Sequence, residues 1–91
     1  MSLAPWRVYI LETERGTLYT GITTSLERRL AEHGGSGGRG ARYFRFDAPR
    51  RLRYVEVAAD RGAAQRREAA IKRLPRRAKL QLIASTPLAK R

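Results

Sequence analysis

Two short runs of β-branched and aromatic residues, Val8-Tyr9-Ile10-Leu11 and Thr17-Leu18-Tyr19-Thr20-Gly21-Ile22-Thr23, flank the polar stretch Glu12-Thr13-Glu14-Arg15-Gly16. Strand formers on either side of a short polar segment that ends in glycine pair as an antiparallel hairpin with a bulged or longer turn. Because that pairing is local, it commits the N-terminal third of the chain to two neighbouring strands. The remaining elements must extend or cover this hairpin.

Thr24-Ser25-Leu26-Glu27 matches a capping box, with Thr24 as N-cap and Glu27 reaching back. It predicts a helix over Ser25–His33, with Leu26, Leu30 and His33 at helical spacing and Gly34 as the stop. Gly34–Gly40 is a flexible glycine-rich loop. It contains a literal G-x-G-x-x-G, but it follows a helix and runs into Arg42-Tyr43-Phe44-Arg45-Phe46, so it is not a dinucleotide-binding turn. Leu52–Val57 alternates as a third strand. Asp60 can cap a helix over Arg61–Leu74 with Ala64, Ile71 and Leu74 inward. Pro75 ends that helix and can sit in the first turn of a last one, whose Leu80, Leu82 and Ile83 face inward. The order β-β-α-β-α-α implies an α+β (mixed α/β) class: a small three-stranded, mainly antiparallel sheet flanked by three helices. One domain over residues 6–85 is expected, with residues 1–5 and 86–91 as loose termini.

Charge narrows the partners. Twenty Lys and Arg stand against eight Asp and Glu, a net charge of +12. Such a surface favours polyanions, since each neutralised phosphate releases counterions. Most of the basic residues are Arg, whose planar fork suits phosphate. The absence of cysteine excludes disulfides, thiolate metal sites and cysteine nucleophiles. No apolar run reaches membrane-spanning length, and the N-terminus has no basic-then-apolar signal pattern. The expected location is cytoplasmic and nucleoid-associated, with no membrane partner.

The polar residues that interrupt the apolar pattern carry the chemistry. Tyr9 and Tyr19 lie on adjacent hairpin strands; Arg29 and His33 share one face of the first helix. Glu68 sits mid-helix among Arg66, Arg67 and Lys72. A phosphodiesterase needs a group to deprotonate water, cations to stabilise the pentacoordinate phosphate, and a carboxylate for a divalent metal. Taken singly, each residue has a plainer reading. Strand tyrosines usually pack, His33 can be a helix C-terminal cation, and Glu68 can pair with Lys72 at i,i+4. Arg28, Arg39, Arg42, Tyr43, Arg45, Lys72, Arg73, Arg76 and Lys79 are candidates to contact nucleic acid. Tyr43, Phe44 and Phe46 either stack on exposed bases or anchor the loop. Arg50, Arg51 and Arg53, with Arg73, Arg76, Arg77 and Lys79, form a phosphate-tracking surface or a solvated face.

The combined spacing resembles the GIY-YIG nuclease family. Arg7-Val8-Tyr9 stands where the family has G-I-Y, and Tyr19-Thr20-Gly21 where it has Y-I-G. Arg29 follows ten residues after the second tyrosine, His33 four later, and Glu68 on a later helix matches the family's metal-binding glutamate. The resemblance runs from about Trp6 to Ile83. It is closest to short stand-alone bacterial members and to the nuclease domain of the bacterial excision-repair incision subunit. It implies a metal-dependent DNA endonuclease that hydrolyses phosphodiester bonds, structure-directed and acting in repair or recombination. DNA that is branched, flapped or damaged would be its substrate rather than a defined sequence, with RNA as the alternative polyanion.

By resemblance, Tyr9 accepts a proton from the attacking water, and Tyr19 orients that water or the phosphate. Arg29 neutralises the phosphate and His33 assists. Glu68 holds one Mg²⁺ or Mn²⁺. Some members place an asparagine on the last helix, and this chain contains none. A catalytically weak or inactive nucleic-acid-binding module of the same fold is the alternative.

Overall fold

The computed structural model describes residues 5–33 and 49–85, and places the side chains of 5–31 and 51–85. Among the described residues the order is β1 (Trp6–Thr13), β2 (Leu18–Thr23), α1 (Leu26–His33), β3 (Pro49–Ala58), α2 (Arg61–Lys72) and α3 (Arg76–Ser85). This is the expected antiparallel sheet with three helices. The strand order is β2-β1-β3, so the first strand lies in the middle and the other two form the edges.

The hairpin closes as its composition demands. The Gly16 N–H donates to the Thr13 carbonyl at 2.9 Å, and Thr13 and Thr17 pair beyond it. Gly16 has φ +88°, a left-handed conformation that glycine adopts without penalty. The Thr13 hydroxyl accepts from the Thr17 N–H, which fastens the turn from inside.

Alternation along β1 makes two cores. Val8 and Ile10, with Leu18, Tyr54 and Ala58, meet Ala64, Ile71 and Ile83 of α2 and α3. Tyr9 and Leu11 point the other way, where Tyr19, Leu26, Leu30, Leu52 and Val55 pack against them. Thus α1 covers one face and α2 with α3 the other. The four residues Val8–Leu11 are each exposed by 1% or less.

Several local expectations shift by a residue or two. Ser25, not Thr24, caps α1: its hydroxyl accepts from the Arg28 N–H, while the Thr23 hydroxyl accepts from the Ser25 N–H. No capping box forms, because position N3 then holds Arg28 instead of Glu27. Asp60 caps α2 as expected, accepting from the Ala63 N–H at 2.8 Å. That helix stops at Lys72, short of Leu74. The Pro75 carbonyl accepts from the Lys79 N–H, so proline immediately precedes α3. β3 starts at Pro49, earlier than the alternating pattern indicates. The expected loose termini lie, apart from Pro5, outside the described residues.

The β1–β3 register slips between Ile10 and Leu11, where Arg53 is the extra residue. A bulge of this kind re-aims a side chain. Arg53 and Arg51 both donate to Glu12. These arginines, expected on a phosphate-tracking surface, are instead engaged by a carboxylate that the strand register sets beside them.

Ile71→Ala is expected to cost about 2–5 kcal/mol in denaturant unfolding, because it empties a closed site. Val57→Ala, at a side chain 63% exposed, is expected to stay within about 0.5 kcal/mol. The Glu12 carboxyl is held below its ordinary range, first by the hydrogen bond from Arg53 and then by that from Arg51. A carboxylate with a depressed pKa stabilises the fold above its unfolded-state value, and that contribution disappears as pH falls through the folded value. Glu12→Gln should therefore lower the melting temperature at neutral pH, and the gap to wild type should close below the ordinary carboxylate range.

Candidate active site

Strand pairing builds the centre of the site. Tyr9 stands opposite Gly21, and Leu11 opposite Tyr19, so all four lie on the α1 side of the sheet. The phenol of Tyr9 lies across the strand onto Gly21. A Cβ at that glycine would sit 2.5 Å from the Tyr9 hydroxyl oxygen and 2.6 Å from its Cζ, closer than real contacts allow. Glycine at the end of the Tyr19-Thr20-Gly21 motif is therefore the seat of the first motif's tyrosine. The Tyr9 and Tyr19 rings tilt at 46° with centroids 6.5 Å apart, inside the favourable range for aromatic pairs. They differ in exposure. Tyr9 is 1% exposed, whereas Tyr19, on the edge strand, is half-buried.

Arg29 lies on α1, half-buried, one residue before Leu30, which packs on the tyrosine core. His33 is the last residue of α1, and its side chain lies outside the described residues. Glu68 comes from the opposite layer. On α2 it shares a helical stripe with Ala64 and Ile71, both fully buried, one turn away on either side. Its carboxylate is 23% exposed and lies 3.4 Å from the Lys72 ammonium. The two tyrosines are thus brought together, whereas Glu68 lies on the far side of the sheet from them.

The donor chemistry of Glu68 fits a magnesium-like ion. Mg²⁺ keeps most of its waters and takes one or two carboxylates, and a hard carboxylate oxygen is what it prefers. Among the described residues no group of three or more His, Asp or Glu comes together, so a site with many protein ligands does not arise there. Thr20, in the position of the family's isoleucine, alternates onto the same side of the sheet as α2. It is buried, and its hydroxyl has no hydrogen-bond partner among the described residues.

Of the residues expected to contact nucleic acid, Arg39, Arg42, Tyr43 and Arg45 lie outside the described residues. Arg28 is exposed on α1. Lys72 and Arg73 are exposed at the end of α2, and Lys72 pairs with Glu68. Arg76 and Lys79 begin α3 and meet the hairpin turn, where Arg15 joins them. Arg15 read as a turn residue alone, since its neighbours across space are far off in sequence. A polar triad was also not legible: Tyr54 donates to Glu56, and Arg67 donates to the same carboxylate at 2.8 Å. Burial, then the hydrogen bond to Glu56, holds the Tyr54 hydroxyl above its ordinary pKa, so it stays protonated as the donor. The one signal for the triad was a lone glutamate on the sheet's inward face.

An antiparallel hairpin carrying two facing tyrosines over a glycine seat, closed by α1 and backed by a helix with a single inward glutamate, defines a GIY-YIG catalytic domain. A family model of that description matches residues 5–81, and the chain belongs to this family of nucleases. Its relatives are UPF0213 proteins. One from Pseudomonas aeruginosa is 45% identical over 83 residues, covering 91% of this chain and 78% of its own. One from Syntrophus aciditrophicus is 45% identical over 80 residues, covering 88% and 91%. The solution NMR structure of the UPF0213 protein from Bacillus halodurans superposes with a TM-score of 0.57 at 40% identity, over 89% of this chain and 84% of that one.

Gly21→Ala is expected to cost about 1–3 kcal/mol, the usual range for an overpacked site. In a Tyr9→Ala background the same change should cost clearly less, because the clashing ring is gone. A double-mutant cycle by chemical denaturation measures the difference, and equal costs in both backgrounds would refute the seat.

Proposed function

We propose that this protein is a metal-dependent endonuclease that hydrolyses phosphodiester bonds in DNA, with Tyr9, Tyr19, Arg29, His33 and Glu68 as its working residues. The observation that carries the reading is the Tyr9–Tyr19 pair, with Tyr9 seated on Gly21 of β2, an edge strand among the described residues, in a chain of net charge +12. Because β2 is an edge strand, groups from both layers can reach a substrate at that edge. Tyr19 and Arg29 approach from the α1 side. Glu68 approaches from α2, which packs over β2 and β1.

The family assigns proton acceptance to the first tyrosine. Here Tyr9 is covered and Tyr19 is half-buried, so an attacking water meets Tyr19 first. A free tyrosine, with a pKa near 10, is a weak base at neutral pH, so neighbouring cations must favour its deprotonated form. Arg29, half-buried on α1, would hold the phosphate. Glu68 would hold the Mg²⁺ or Mn²⁺, which when bound supplies Lewis-acid stabilisation of the phosphate. Contacts from a surface this basic go to the phosphate backbone, which carries no sequence information. That favours branched, flapped or damaged DNA, met in repair or recombination near the nucleoid. RNA is the competing substrate.

One observation favours a second reading, binding without turnover: Glu68 is already paired with Lys72. Cleavage of supercoiled plasmid and labelled branched DNA, with Mg²⁺, Mn²⁺ or EDTA, separates the two. We expect metal-dependent nicking that falls by about 10²-fold or more in Glu68→Gln and Arg29→Ala, the loss typical of a removed transition-state contact. DNA affinity measured in EDTA should be nearly unchanged for Glu68→Gln. Comparing Tyr9→Phe with Tyr19→Phe identifies the proton acceptor. If wild type binds DNA but never cuts it with either metal, the binding module is the correct reading.

A further inference from the structure

Away from the tyrosine face, the hairpin turn and the start of α3 enclose a cleft of about 360 Å³ lined by Arg15, Gly16, Thr17, Leu18, Arg76 and Lys79. Three of its six lining residues are cations and none is acidic. Arg76 donates to the Gly16 carbonyl at 2.6 Å, which ties helix to turn and holds its guanidinium at the cleft. Lys79 lies one helical turn further on, half-buried. Among the described residues neither Arg76 nor Lys79 is in an ion pair, whereas Glu12, Glu56 and Glu68 are each matched to basic partners elsewhere.

Electrostatics makes this arrangement costly when empty. Arg76 opens α3 and Lys79 closes its first turn, which holds no acidic residue, and the positive end of the helix dipole disfavours cations there. Like charges around one concavity repel one another further. A bound anion relieves both terms, and the Arg fork matches phosphate oxygens.

We propose that this cleft binds a backbone phosphate of the DNA strand, flanking the one that is cut. The identity of the ligand rests on the nuclease reading; the anion site rests on the cleft itself. Leu18 lines the cleft and Tyr19 follows it on β2, on the opposite face. The cleft lies at the turn end of β2, so a strand held at Tyr19 and running past that end brings a flanking phosphate to the turn. The cleft would set where along a strand the cut falls.

The test is DNA binding by fluorescence anisotropy in EDTA across a salt series. It compares wild type with Lys79→Gln, Lys79→Arg and the double variant Arg76→Gln/Lys79→Gln, each checked for an unchanged thermal melt. Lys79→Gln should reduce the slope of log Kd against log salt by about one and weaken binding on every DNA sequence alike. Lys79→Arg should keep the wild-type slope, and the double variant should lose about two. An unchanged slope and affinity in folded Lys79→Gln and in the double variant would overturn the proposal, even if the protein cuts DNA normally. Failure of wild type to cut would reject the nuclease reading and leave this binding result standing.

Discussion

β1 is enclosed on every side, and the rest of the molecule depends on that enclosure. β2 and β3 satisfy its backbone along both edges, α1 covers one face, and α2 with α3 cover the other. Its alternate side chains therefore serve two separate cores, and no residue of Val8–Leu11 has room to turn. Tyr9 is held by this packing instead of by a loop. Its ring rests on Gly21 because the hairpin register sets those two residues opposite each other. A side chain fixed on a central strand is held more rigidly than one on a loop.

The distribution of carboxylates complements this rigidity. Glu12 draws in Arg51 and Arg53 at the far end of the β1–β3 ladder, Glu56 holds Arg67 against the sheet, and Glu68 meets Lys72 on α2. Pairs this exposed add little stability. Their consequence is spatial: they engage Arg51, Arg53, Arg67 and Lys72, whereas Arg76 and Lys79 at the start of α3 are in no ion pair among the described residues. Tyr19 thus stands on one face of β2, and Arg76 and Lys79 lie past the turn end of that strand.

Features governed by neighbours in sequence were legible. The hairpin, the element order, the Asp60 cap and the inward Ala64 and Ile71 all follow from alternation, turn chemistry or helical period, and the motif spacing from Tyr9 to Glu68 pointed to the family. Features governed by competition between neighbours were less so. Thr23, Thr24 and Ser25 are all competent caps, and the turn geometry selected Ser25. The bulge beside Leu11 shifts the parity of β3, which sends Arg53 to Glu12, and no alternation pattern encodes a bulge in its partner strand.

The sequence by itself determined the antiparallel hairpin, the β-β-α-β-α-α order and the +12 charge, since each rests on local propensity or composition. Only the tertiary structure decided that Tyr9 is covered while Tyr19 is not. It alone placed Glu68 across the sheet from both tyrosines and gathered Arg15, Arg76 and Lys79 around one cleft. Those outcomes depend on strand register and on which sheet face each helix buries. Both are settled by long-range packing of apolar surface, whose partners lie far apart along the chain.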